Sequence, residues 1–243
     1  MKNLLLLLFG ILCLTSCQFT ETLVLNEDGT GRMSLEMDMG EMMAFGAGMD
    51  SAAVKMDTLI AMKDVLREKK DSIATLPVDE QKRLKAMENY MLRMNMDTEK
   101  GVMLISMFTD FTDISEADKL MKGLEGSGNF LPDMGSTTTT TSSEESKDVL
   151  GVSYSYKKGK FKRDAYIKDK EAHQQQLDSM SQAESFMSSM KYTLKYTFPK
   201  KIKKASAEDA TYSLDGKTIT LERSFLDYFK DPDVLDLEVE LEK

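Results

Sequence analysis

Strict alternation interrupted by turn chemistry is the pattern that most restricts how this chain folds. In "RMSLEMDM", Met33, Leu35, Met37 and Met39 take one phase, and Arg32, Ser34, Glu36 and Asp38 take the other. Successive side chains of a strand point to opposite faces, so period two means one buried and one wet face. The preceding run, "TETLVLN", is also strand-forming. Between the two lies "EDGTG", with Asp28-Gly29 supplying the positive φ of a tight hairpin turn. The same grammar recurs along the chain. "YMLRMNM" and "VMLISMFTDF" flank "DTEKG" as a second hairpin, and "VLGVSYSY" and "KFKRDAYI" flank Lys-Lys-Gly as a third. "ATYSL" and "KTITLE" flank Asp-Gly as a fourth, while "MKYTLKYTFP" and "VLDLEVELE" read as further strands.

Helical spacing appears between these runs. Ala52, Leu59, Leu66 and Ile73 recur every seven residues, with Met56 and Met62 nearby, and Asp50, Asp57, Asp64 and Asp71 recur on the opposite side. That predicts an amphipathic helix over 50–74. Pro77 suits the first turn of a second helix over 78–89. Ser115 followed by Asp118 resembles a capping box for a helix over 116–124. A further helix is predicted over 168–190, with Leu177, Met180, Met187 and Met190 inward. Strands and helices mix without a βαβ rhythm. The expectation is therefore an α+β fold, its largely antiparallel sheet built of hairpins and packed against several helices. Residues 125–147 are rich in Gly, Ser and Thr and bury too little to offset their ordering entropy. They read as a long flexible Ser/Thr-rich loop, an insertion in a single domain over 17–243, because neither half shows a complete sheet with covering helices.

The chain opens with Lys2 and an apolar run, Leu4 to Leu14. A bilayer-spanning helix needs about 20 apolar residues. This run is far shorter and reads as a secretory signal peptide over 1–16. Leu14-Thr15-Ser16-Cys17 resembles the lipobox of bacterial lipoproteins. The resemblance implies a diacylglycerol thioether on Cys17, cleavage just before it, and acylation of the new amino group with palmitate-like chains. Each buried methylene contributes about 0.8 kcal/mol, so two or three chains anchor stably. Gln18 stands where enterobacterial lipoproteins carry Asp for inner-membrane retention, which implies the outer membrane, on its periplasmic or surface face.

That cleavage removes Cys13 and commits Cys17 to lipid, so no disulfide is expected and the fold rests on burial. The formal charge is −9, and losing Lys2 makes it more negative. Such a balance excludes nucleic acid as an expected partner and disfavours anionic headgroups. The expected partners are the membrane, through the anchor, and an envelope protein or lipid. "LVLNEDGTGRMSLEM" and "YTFPKKIKKAS…DGKTITLE" resemble LppM-like bacterial lipoprotein domains. That resemblance implies an envelope-facing α+β domain in contact with lipid and no catalytic residues.

Candidate chemistry is sparse. The one histidine, His173, sits in "EAHQQQ" and is expected to face solvent. There is no G-x-S-x-G elbow and no imidazole base for a nucleophilic serine. The chain is therefore not expected to be an enzyme, and no catalytic residue is named. A calcium loop starting at Asn26 would place Met37 where a bidentate Glu is required, so the segment reads as a turn. No metal ligand set and no cofactor are expected. The 20 methionines cluster at Met37, Met39, Met42 and Met43 and at Met91, Met94 and Met96. Thioethers bind Cu(I), but most of these lie on the apolar phase of their element, which fits a core or an adaptable groove. Asp-Ser/Thr-apolar triplets resemble the O-glycosylation acceptor of Bacteroidota envelope proteins and mark Ser51, Thr58, Ser72 and Ser179. The function expected is a non-enzymatic partner-binding or assembly role in the cell envelope. The rival is a carrier or sensor of an apolar, lipid-like ligand in a Met-lined groove.

Overall fold

The structure, a computed structural model, describes residues 18–40, 53–118, 149–180 and 184–243. Residues 1–16, predicted as a signal peptide, together with Cys17, Ser51 and the segment 125–147 predicted as a flexible loop, lie outside the described residues. The strands, in chain order, begin with β1 (Gln18–Leu25), β2 (Gly31–Asp38), β3 (Lys55–Ala61), β4 (Met91–Asp97) and β5 (Val102–Phe111). There follow β6 (Leu150–Lys157), β7 (Lys160–Ile167), β8 (Lys191–Thr197), β9 (Ile202–Ala205), β10 (Thr211–Tyr212), β11 (Thr218–Ser224) and β12 (Leu237–Leu241). The helices are α1 (Met62–Glu68), α2 (Lys70–Ile73), α3 (Val78–Ala86), α4 (Lys170–Met180), α5 (Glu184–Ser189) and α6 (Phe225–Lys230). Among the described residues no helix is long and apolar enough to cross a membrane.

The four expected hairpins form. In the first, Gly29 takes φ +87°, and the Asp28 carboxylate accepts from the N–H (3.0 Å) and hydroxyl (2.7 Å) of Thr30. In the third, Lys158 and Gly159 both take positive φ, which matches the twist of the flanking strands. The architecture is α+β and built of hairpins, as expected, but the strands divide into two sheets. An eight-stranded sheet runs β10-β11-β8-β1-β2-β5-β4-β3, and a four-stranded sheet runs β6-β7-β12-β9. The β1–β8 pairing is parallel, so a strand from the first half of the chain and one from the second meet in the middle of one sheet. The inner faces pack on each other. Phe161 of the small sheet meets Tyr196 of the large one edge-on at 5.4 Å, and Phe198 at 5.2 Å. Leu23, Leu194, Ile219, Leu221, Leu235 and Leu237 fill the space between.

Three helical expectations are corrected. The first part of the predicted 50–74 helix is strand β3, and only then do α1 and α2 follow. A spacing of seven puts consecutive members on opposite faces of a strand. Leu59 is accordingly 57% exposed, and Asp57 on the same outward side forms two bonds with Arg93 of β4, at 2.8 and 2.9 Å. Pairing with β4 satisfies a full row of backbone groups that a helix here would leave open along that strand. Of the helix predicted over 116–124, residues 119–124 lie outside the described residues; what is corrected is its capping box at Ser115. A 3₁₀ turn, Ile114–Glu116, is capped by Asp113, whose Oδ1 accepts from the N–H (2.9 Å) and hydroxyl (2.6 Å) of Ser115. The 168–190 helix is two helices, α4 and α5. α6 had no counterpart in the sequence reading; Val149, Ala172 and Phe229 join it to α4 in a small second core.

Candidate functional site

Glu21 lies on the buried phase of β1, between Phe19 and Leu23, and is fully buried. It pairs with Leu35 of β2 on one side and Leu194 of β8 on the other, so it points into the space between the sheets. Arg163, on the buried phase of β7, meets it from the facing sheet. Arg163 Nη2 donates to Glu21 Oε2 at 3.1 Å, Nε lies 3.4 Å from Oε1, and Nη1 donates to the Leu235 carbonyl at 3.0 Å. Three tyrosines complete the set. Tyr154 donates to Oε1 at 2.6 Å, Tyr192 to Oε2 at 2.8 Å, and Tyr196 also to Oε1. The guanidinium lies over the ring of Tyr228, 5.7 Å from its centre.

The electrostatics are self-consistent. Burial alone would raise the Glu21 carboxyl, but the charge of Arg163 and the bonds from Arg163, Tyr154 and Tyr196 together hold it below its ordinary value. Burial would lower Arg163, and the Glu21 carboxylate more than reverses that, leaving it well above its ordinary value. Burial first, and the Glu21 charge second, push Tyr154, Tyr192 and Tyr196 well above the ordinary tyrosine value, so all three stay protonated donors. A carboxylate saturated by donors is a weak base, and this one has no exposed surface through which a substrate would reach it. The cluster is a clamp between the sheets rather than a reaction centre. Its partners are 133 to 175 residues from Glu21 in sequence. The signal was present all the same: Glu21 and Arg163 are charges on the apolar phase of their strands, and such charges are almost never buried without a partner.

The residues singled out from sequence do not converge. Cys17 and Ser51 are outside the described residues. Thr58 lies exposed on β3, Ser72 exposed on α2, and Ser179 exposed near the end of α4, where its hydroxyl donates to the Gln176 carbonyl at 2.7 Å. His173 is corrected. It is only 5% exposed, its ring packs on Phe229, and Nε2 lies 2.7 Å from the Phe229 carbonyl. The bend from α6 brings that carbonyl to α4, which the polar run "EAHQQQ" gave no means of anticipating. Among the described residues no group of three or more His, Cys, Asp or Glu is placed to hold a metal ion.

The methionines divide into two sets. Met33, Met62, Met94 and Met107 are core. Met56, Met96 and Met103 pair directly across β3, β4 and β5, and the Met39 N–H donates to the Met103 carbonyl at 2.8 Å. These four are only partly buried. The hollow bounded by Met56, Met94, Met96 and Met103 has no room for a water molecule, so the row is a flush surface.

No protein-family model matches the chain, and no curated protein matches it. Among solved structures, the folded domain of Mycobacterium tuberculosis LppM, determined by NMR, is similar at 7% identity and a TM-score of 0.41. The match covers 93% of this chain and 89% of that one.

Proposed function

We propose that this chain is a lipid-anchored protein of the cell envelope, held through Cys17 at the outer membrane, with a non-enzymatic role in binding a protein partner. The support is a contrast between its two kinds of surface. The one buried ionisable cluster among the described residues, Glu21 and Arg163 with their tyrosines, is sealed between the sheets. The outer face of the eight-stranded sheet is half-exposed and rich in hydroxyls. Thr20 of β1 pairs with Thr193 of β8, and Thr197 of β8 with Thr218 of β11, while exposed Lys195 of β8 stands between Thr22 of β1 and Thr220 of β11. Ion pairs fix the long side chains at its margins, Arg32 with Asp110 at 2.6 Å and Lys191 with Glu222 at 2.7 Å. A polar face whose backbone is already ordered by strand pairing carries a low ordering cost on association.

The carrier reading has less behind it. The methionine-lined hollow is filled. An open depression of about 540 Å³ lies instead on the small sheet, lined by Lys157, Lys162, Lys204 and Glu238 together with Ala205 and Val239. Open to solvent and rimmed by charged side chains, it does not enclose an apolar ligand.

The test is site-specific photocrosslinking in native membranes, with lipid extracted in parallel. A photoreactive residue at Thr22, Thr193 or Thr220 should give one discrete protein adduct, and one at Tyr166 on the small sheet should not. Adducts that do not depend on position, together with stoichiometric lipid bound to the protein body, would overturn partner binding and favour the carrier.

A further inference from the structure

β1 starts at Gln18, one peptide bond after Cys17, so a lipid on Cys17 enters the domain with no linker. This step rests on the anchor reading above. Gln18 pairs with Asp38 of β2 and with Lys191 of β8. The residues next along those partner strands are Met39 and Met190, both partly buried. From Met39 the row continues across the sheet through Met103, Met96 and Met56. Adjacent strands lie about 4.8 Å apart, so these four thioethers extend some 15 Å from the strand beside β1 to the sheet edge. Val54, 41% exposed, continues the apolar margin just beyond Met56, with its carbonyl accepting from Thr98 N–H at 3.0 Å. Two carboxylates at this end are engaged locally, while Glu99 stands exposed in the β4–β5 turn. Asp38 accepts from the Gly40 N–H at 3.0 Å, and Asp97 from the Lys100 N–H at 3.2 Å.

The opposite end of β1 is different in kind. Eight residues of strand carry the chain about 25 Å from Gln18 to Leu25. There the Leu241 N–H donates to Gly159 O at 2.8 Å and the Glu242 N–H to Lys201 O at 2.9 Å. Those two bonds bring the turn holding Lys157, Lys158 and Lys160 to one side of the end of β12, and Lys200 and Lys201 to the other.

We propose that the Met39–Met103–Met96–Met56 row is the face laid against the bilayer that holds the Cys17 acyl chains, leaving the lysine end pointing away from that membrane. The tether has no length with which to turn the domain over. Thioethers are apolar and conformationally adaptable, which suits a surface meeting fluid lipid rather than a fixed partner. The flush, unhollowed row fits contact with a surface and not capture of a single molecule.

The experiment uses the full chain, processed in cells, purified with its anchor and placed in vesicles of phosphatidylethanolamine and phosphatidylglycerol. Methionine methyls carry ¹³C, lysines are ¹³C-methylated, and a lipid bearing a spin label near the headgroup is added. The row should lose methyl signal, and the loss should decline along the strands from Met39 to Met33 and from Met103 to Met107. Methylated Lys158 and Lys200 should keep their signal. An acylated, vesicle-bound chain that loses signal at Lys158 and Lys200, or keeps it along the methionine row, overturns the rim while leaving the anchor standing. A chain without acyl mass on Cys17 that stays off the vesicles overturns both.

Discussion

Arg163 Nη2 lies 3.1 Å from Glu21 Oε2, and the two residues belong to opposite sheets with no exposed surface on either. Breaking a buried pair leaves a charge without compensation and typically costs about 3–5 kcal/mol. Glu21→Gln and Arg163→Met should each lower stability strongly. The double variant should lose clearly less than the two losses combined, since neither orphaned charge remains and the Gln carbonyl oxygen still accepts from Tyr154 and Tyr196. Urea denaturation of the four proteins measures the coupling; simple additivity would mean the pair does not act as a unit.

The same carboxylate sets an acid limit. Its pKa is depressed in the folded state relative to an ordinary value of 4.5. Its contribution to stability is therefore complete above about pH 4.5 and is lost as pH falls through the folded value. Arg163, raised further, stays charged throughout. Between pH 6 and pH 3 the wild-type urea midpoint should fall more steeply than that of Glu21→Gln. The exposed carboxylates lowered by Arg32 and Arg93 are common to both proteins, so the difference isolates Glu21.

Two tyrosines should respond oppositely to loss of the hydroxyl. Tyr192→Phe removes a donor from a buried carboxylate, and a hydrogen bond to a charged group contributes roughly 1.5–3 kcal/mol. Tyr90 is buried with a hydroxyl that has no hydrogen-bond partner among the described residues. Burial first, and the charge of Asp118 second, push its pKa well above the ordinary tyrosine value, so it stays neutral. Tyr90→Phe should be neutral or stabilising by about 1 kcal/mol. Thermal unfolding decides, and a destabilised Tyr90→Phe would show that its hydroxyl is engaged.

Gly31 opens β2 where no side chain fits. A Cβ there would lie 2.2 Å from the Val24 carbonyl oxygen and 2.4 Å from Phe111 Cζ. The Val24 oxygen belongs to a paired strand and has little freedom to yield. Gly31→Ala should cost about 1–3 kcal/mol by overpacking. An unchanged midpoint would mean that β1 and β5 approach β2 less closely than the structure has them.

Thr58, Ser72 and Ser179 are all open to a modifying enzyme. Mass spectrometry of protein from its native envelope should find glycan mass on the peptides carrying Ser51, Thr58, Ser72 and Ser179. All four unmodified would remove the glycosylation reading.

The average charge of the chain was a poor guide to its surfaces. A net of −9 suggests uniform repulsion of anions. The fold gathers Lys157, Lys158, Lys160, Lys200 and Lys201, from two separate segments, around the end of β12, where Glu27 and Glu242 stand among them. Charge composition adds over the whole chain, whereas a partner meets only what one end presents.

What the sequence determined by itself was local. Alternation marked the buried phase of nearly every strand, and Asp28-Gly29, Gly101 and Lys158-Gly159 marked the turns, because side-chain direction and backbone φ are settled by neighbours a few residues away. Where a segment was ambiguous, the periodicity of 50–74 favoured a helix and the vacant edge of β4 decided for a strand. The division into two sheets, the parallel union of β1 with β8, the methionine row and the Glu21–Arg163 clamp were decided by tertiary structure. Each joins residues far apart in the chain, 142 positions apart in the case of the clamp. Such pairs are selected by the free energy of closing the whole core, in which a buried charge is tolerable only where the opposite charge arrives from the other sheet.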